Sequence, residues 1–174
     1  MRKARTFGSR LRTAALGLIA SSLACGVSQA PPRNGSPAPD LVANTLEGDT
    51  ISLSAFRGRP LLLNLWATWC APCREETPYL QSLHERYVER GLRVVGVTVD
   101  TRGSVSEIRR FMEEFGVTYR VLHDPDMVST DRYVVSGLPA TFLVDRQGTI
   151  QHVVAGPVAA GDQAFAASLR RILE

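Results

Sequence analysis

The 174-residue chain reads as an α/β sandwich, with strands and helices alternating around one core. Two nearly continuous apolar runs, residues 61–66 and 92–99, have the length and composition of strands buried on both faces of a sheet. Between them Leu80, Leu83 and Tyr87 recur at helical spacing. At 44% hydrophobic and 21% charged residues, a chain this short supports one substantial core rather than two large domains.

Each element carries its own signal. Residues 41–46 and 50–53 flank Glu47-Gly48-Asp49 and predict an N-terminal β-hairpin. After the breaker Arg57-Gly58-Arg59-Pro60 the strand 61–66 begins, and the helix beyond it ends at Gly91. Pro78 lies inside that helix and is expected to kink it. Ser104-Val105-Ser106-Glu107 has the capping-box pattern and opens a second helix, whose apolar face is Val105, Ile108, Phe111, Met112 and Phe115 and whose stop is Gly116. A strand near 117–122, a short helix near 127–134, strands 140–144 and 149–154, and a last helix bearing Phe165, Leu169 and Ile172 complete the series. Asp124-Pro125-Asp126 reads as a turn and helix cap rather than as paired catalytic carboxylates.

The location of charge excludes one class of function. Basic residues outnumber acidic ones 20 to 17, but Arg2, Lys3, Arg5, Arg10 and Arg12 all precede Asp40, the first acidic residue. Without residues 1–24 the balance is 15 to 17, so no nucleic-acid partner is expected. The front segment has the anatomy of an export signal: basic residues, the apolar run 14–20, then small residues around Ala24-Cys25. That run is about half the roughly 20 apolar residues a membrane span needs. Residues 25–37, rich in Ser, Gly, Gln and Asn with Pro31, Pro32 and Pro37, read as a flexible tether, and the domain as 38–174.

Chemistry concentrates in Trp69-Cys70-Ala71-Pro72-Cys73. The pair stands where a buried strand gives way to a helix, and a helix amino terminus stabilises a thiolate through its free N–H groups and dipole. Cys70, on the turn, is therefore the expected nucleophile, and Cys73, one helical turn further in, the shielded partner. Pro72 is tolerated in the first turn because its missing N–H is not needed there. Thiol exchange through a mixed disulfide at Cys70, resolved by Cys73, needs no metal or organic cofactor. A purely structural bridge would close too short a loop to stabilise the fold by more than about 2 kcal/mol. A zinc site would want about four ligands, and His84, His123 and His152 stand singly. With Cys70 and Cys73 paired, Cys25 is left over. Its position after Ala24 resembles the lipobox of bacterial lipoproteins, where such a cysteine becomes the lipidated first residue. The pattern's apolar residue is displaced, with Ser22 at the usual site and Leu23 one place late. Ordinary cleavage after Ala24 or Ala30 is the alternative.

The run from Trp66 to Pro78, Trp-Ala-Thr-Trp-Cys-Ala-Pro-Cys-Arg-Glu-Glu-Thr-Pro, resembles the active-site segment of the TlpA/ResA-like branch of the thioredoxin superfamily. The likeness covers most of residues 36–174, including the opening Ala38-Pro39-Asp40 and the stretch Gly137-Leu138-Pro139-Ala140-Thr141-Phe142-Leu143-Val144-Asp145. It implies a thioredoxin-like fold: a central mixed β-sheet flanked by helices, with an N-terminal β-hairpin extension and a helix-strand insertion. It implies that Pro139 is the superfamily's cis-proline, facing the cysteine pair, and that the Leu138 backbone offers a strand-like edge to substrate. Where thioredoxins carry a buried Asp that moves the inner cysteine's proton, this chain has Asn64, and the branch's functional carboxylate falls on Glu76. Glu75 reads as surface, Trp66 as core, and Trp69 as a shield over the disulfide that also contacts partners.

Similar proteins reduce disulfides in exported proteins, as in cytochrome c or oxidase assembly, and are recharged by a membrane thiol transporter. The expectation is thus an extracytoplasmic thiol-disulfide oxidoreductase, in the periplasm or on the outer face of the cell membrane, lipid-anchored at Cys25. Two rivals stand beside it. A peroxiredoxin-like peroxidase shares the Ala-Pro-Asp opening and the fold, and Thr68 stands two residues before Cys70 without the matching proline. A non-enzymatic binding module would use the Pro139 edge alone.

Overall fold

A computed structural model describes residues 31–174. The expected export signal and Cys25 lie outside the described residues.

The chain forms strands β1 (Val42–Thr45), β2 (Thr50–Ser52), β3 (Leu61–Trp66), β4 (Arg93–Thr98), β5 (Arg120–His123), β6 (Ala140–Val144) and β7 (Ile150–Ala155). The helices are α1 (Ala71–Tyr87), α2 (Val105–Glu114), α3 (Val128–Tyr133) and α4 (Gln163–Leu173), with a 3-10 turn at Leu53–Phe56. One mixed sheet has the order β2-β1-β5-β4-β3-β6-β7. β3, β4 and β5 run parallel, and the remaining pairings are antiparallel. β3-α1-β4 and β6-β7-α4 are the two halves of a thioredoxin-like unit. α2 and β5 are the expected helix-strand insertion between them, and the β1-β2 hairpin extends the sheet beyond β5.

Side-chain alternation along β3 explains both layers. Leu62, Asn64 and Trp66 face one way, and Leu61, Leu63 and Leu65 the other. The first face packs with α1, α2 and α4 through Leu80, Leu83, Ile108, Phe111, Phe165 and Leu169. The second meets Leu41, Leu53, Tyr133, Phe142 and Ile150 beneath the hairpin and α3. Every residue of β3 is buried, and each such leucine contributes roughly 1.5–3 kcal/mol relative to exposure.

Several local expectations change. The Ser104 side chain makes no cap bond at α2; its hydroxyl pairs instead with Thr101 at 3.0 Å, while Glu107 takes the Ser106 hydroxyl at 2.9 Å. The capping box is therefore not formed, although the helix starts where it predicts. β5 is shorter than the expected 117–122 and begins at Arg120, because Val117 and Tyr119 are buried as connecting residues on the helical side. Asp124 caps α3 as expected, accepting from the N–H groups of Val128 (3.2 Å) and Ser129 (2.6 Å). α1 runs on past Pro78 to Tyr87.

The last residues expected in the tether are bonded to the body. Gly35 donates to the Ile150 carbonyl (2.7 Å), Ile150 to Ser36 (2.9 Å) and Ala38 to Gly148 (2.8 Å), with a bridge between Pro37 and Thr149. This segment thus joins the edge beside β7. Upstream of it, Pro31 and Pro32 line a groove with residues 133–138 and 153–156.

Candidate active site

β3, β4 and β5 end on the same side of the sheet, and the site is assembled from the loops beyond those ends. Cys70 is the N-cap of α1, in extended conformation, and its Sγ accepts from the Cys73 N–H at 3.3 Å. An N–H and a helix dipole so placed are the kind of surroundings that favour a thiolate over a thiol. Here the two cysteines are bridged, with S–S 2.04 Å and Cα atoms 5.3 Å apart. Cys70 is 5% exposed and Cys73 0%, so the turn cysteine is the more accessible of the two. Trp69 stands out from the surface at 70% exposure, while Trp66 is buried at 4.5 Å from the Phe111 ring.

Glu76 lies on the inner face of α1, 2% exposed, where the alternation of β3 delivers Asn64. Asn64 Nδ2 donates to Glu76 Oε1 at 2.7 Å and to Thr141 Oγ1 at 2.9 Å, and the Val158 N–H donates to Glu76 Oε2 at 2.7 Å. Burial pushes the carboxyl up to about 7, against the opposing effect of the Val158 and Asn64 bonds. A group poised there exchanges protons near neutrality. Tyr119, buried close by, has its hydroxyl pushed up by burial first and by the Glu76 charge second. Glu75 is exposed.

Leu138-Pro139 is a cis peptide, in the loop that leads into β6. Ala140 pairs with Leu65, so Pro139 sits at the end of the sheet where β3 runs out toward Cys70. Pro139 is buried, its carbonyl accepts from Gly156 at 2.9 Å, and half-buried Leu138 packs against the core cluster that contains both cysteines.

Two residues of the site had no sequence argument behind them. Asp100, 2% exposed just past β4, accepts from the Thr68 N–H (2.9 Å) and hydroxyl (2.7 Å) and from the Thr98 hydroxyl (2.5 Å). Its carbonyl contacts His123 Nε2 at 2.8 Å. It therefore holds the loop that presents Trp69 and Cys70. An acidic residue just past a nearly continuous apolar run was the available signal. Arg74 is the second: its guanidinium lies over the rings of Phe111 (5.3 Å) and Phe115 (4.9 Å) and pairs with Glu114, joining the start of α1 to α2. His84 stacks edge-on to Tyr119, and His152 contacts Ser168, so the histidines have separate partners.

Residues 34–153 match the AhpC/TSA family. The chain belongs to that family. It is 35% identical over 128 residues to the thiol-disulfide oxidoreductase ResA of Geobacillus thermodenitrificans, spanning 74% of this chain and 72% of that one. With the ResA of Bacillus subtilis it shares 38% over 122 residues, 70% and 67% of the two chains. A crystal structure from Chlorobium tepidum, proposed to be the thiol:disulfide interchange protein DsbE, superposes with TM-score 0.75 at 28% identity, covering 82% of this chain and 99% of that one. Together with the bridged Cys70–Cys73 pair, these likenesses make the chain a thiol-disulfide oxidoreductase of the ResA/DsbE type.

Proposed function

We propose that this oxidoreductase works outside the cytoplasm as a reductant of disulfides in exported proteins, of the kind needed in cytochrome c or oxidase assembly. The observation that carries the reading is a redox pair capping a helix, with a buried carboxyl poised near neutrality on the same helix. The basic and apolar leader supports export, and lipidation of Cys25 would hold the protein at the outer face of the cell membrane. No helix among the described residues is long and apolar enough to cross a membrane.

In the forward direction the Cys70 thiolate attacks one sulfur of a substrate disulfide and expels the other as a thiolate. Cys73 then gives up its proton, for which Glu76 is the acceptor, and its sulfur attacks Cys70. The second substrate thiol leaves, two electrons have passed to the substrate, and the enzyme is left in the bridged state seen here. Two electrons and two protons from a membrane thiol transporter restore the dithiol. Trp69, the Leu138 backbone and Pro139 form the rim on which a substrate segment rests.

Trapping tests the reading. Cys73→Ser should accumulate a mixed disulfide between Cys70 and an exported protein, which mass spectrometry identifies; Cys70→Ser should not. Failure of Cys73→Ser to trap any exported protein, or a reduction potential near the ~−120 mV of strong oxidants, would overturn the reductant role. The AhpC/TSA match gives a peroxidase reading its one specific support, and that reading requires peroxide consumption to survive Cys73→Ser.

A further inference from the structure

We infer that the disulfide-bearing end of the body is held against the membrane, so that the cysteines it exchanges with belong to proteins embedded in or presented at the bilayer surface. The inference rests on the reading of Cys25 as a lipid anchor, and two independent features of the fold carry it.

The first is the length of free chain. A tether of residues 25–37 would reach about 45 Å at 3.3–3.6 Å per residue. A domain of this size has a radius of gyration of about 15 Å and is roughly 40 Å across. So long a tether would leave every face of the body equally able to meet the bilayer. The fold does not allow this, because residues 35–38 are bonded along the β7 edge and its approach, and Pro31 and Pro32 lie in the groove beside Gly137, Leu138 and Gly156. From Cys25 to Pro31 the chain can span only about 20 Å. That is half the body's width, and the point of attachment adjoins the Pro139 loop.

The second feature is where apolar surface is left uncovered. The large apolar side chains exposed among the described residues are Val42, Trp69, Met127, Val128 and Val134. Trp69 follows β3, and Met127 and Val128 follow β5, which is parallel to it. Val42 precedes Asn44, the residue paired with His123 at the end of β5, so it lies on the same side of the sheet. Val134 lines the groove with Leu138 and Pro31. All five thus gather toward the end of the sheet that carries Cys70, beside the exposed ion pair of Arg102 and Asp126; none lies at the opposite end, at Arg59 and Gln147. Exposed apolar side chains on the end that carries the reactive sulfur suit a partner whose own cysteines are set in an apolar, membrane-level surface.

The test uses the full-length lipidated chain in phosphatidylethanolamine and phosphatidylglycerol vesicles containing a dansyl-headgroup lipid, with energy transfer from tryptophan as the readout. The native chain carries Trp66 and Trp69; a W69F/Q147W chain moves the exposed indole to the far end. Transfer should be at least two-fold greater from the native chain, and inserting twenty Gly/Ser residues between Ala30 and Pro31 should remove the difference. Should the Gln147 substitution impair folding, Arg59→Trp provides the same comparison. Equal or greater transfer from the far end, with lipid found on Cys25 by mass spectrometry, overturns the orientation alone. Absence of lipid on Cys25 overturns the anchor reading, and this inference with it.

Discussion

Replacing Glu76 with Gln removes the one carboxyl that α1 buries against β3. The pocket lifts it from 4.5 to about 7, chiefly through desolvation, and each unit is worth about 1.4 kcal/mol. Below pH 4.5 the group is protonated in folded and unfolded chains alike, and no penalty exists. Between pH 4.5 and 7 the unfolded chain releases its proton while the folded one keeps it, so stability falls as pH rises. Above pH 7 the full loss, about 3 kcal/mol, has accumulated. In Glu76→Gln the bond from Asn64 survives, but an amide N–H faces the Val158 N–H, costing roughly 1–3 kcal/mol at every pH. The stability difference between the two proteins should therefore change by about 3 kcal/mol from pH 4 to pH 8, whatever its constant part. Urea unfolding of the oxidised proteins by tryptophan fluorescence measures it, because bridged cysteines do not titrate and leave Glu76 as the group that differs. Parallel stability curves would refute the buried-carboxyl argument, and with it the proton-accepting role.

Three further changes test the packing around the site. Asn64→Asp sets a second carboxyl against Glu76, two like charges that resist joint ionisation, so the pH-dependent loss of stability should shift to a midpoint above 7 in the same titration. Asp100→Asn exchanges charge-assisted bonds from Thr68 and Thr98 for neutral ones and should cost about 1 kcal/mol, with an altered Trp69 emission; paired with Thr68→Val it should show coupling of at least 0.5 kcal/mol in a double-mutant cycle. A Cβ at residue 96 would lie 2.8 Å from Trp66 Nε1 and 3.2 Å from Tyr119 Cε2. Because Phe111 hems in the Trp66 ring, Gly96→Ala should destabilise by about 1–3 kcal/mol, read as a lowered urea midpoint at unchanged slope.

What the sequence made legible follows from the range over which each feature is decided. The β3 run, the helix that follows Cys70 and the hairpin turn are local patterns, and each stands where its spacing predicts. The cysteine pair was legible for the same reason, since strand, turn and helix start lie within a dozen residues. Glu76 is different: its place on α1 follows from the sequence, but its burial depends on Asn64, 12 residues away, and Val158, 82 residues away. Only the family likeness pointed to it beforehand. Asp100 was missed because its partner Thr68 lies 32 residues upstream, a contact that exists only once β3 and β4 are known to be parallel neighbours. The tether was misjudged for a related reason. Its Pro and Ser content forbids helix and central strand, but not pairing beside an edge strand, and that β7 is an edge is a property of sheet order rather than composition. Parallel strands bring their carboxyl ends to one side, and antiparallel β6 begins where they finish. Cys70, Asp100, Asp124 and Pro139 therefore converge as a consequence of topology. Local pattern names the reactive sulfurs, and sheet order decides what surrounds them.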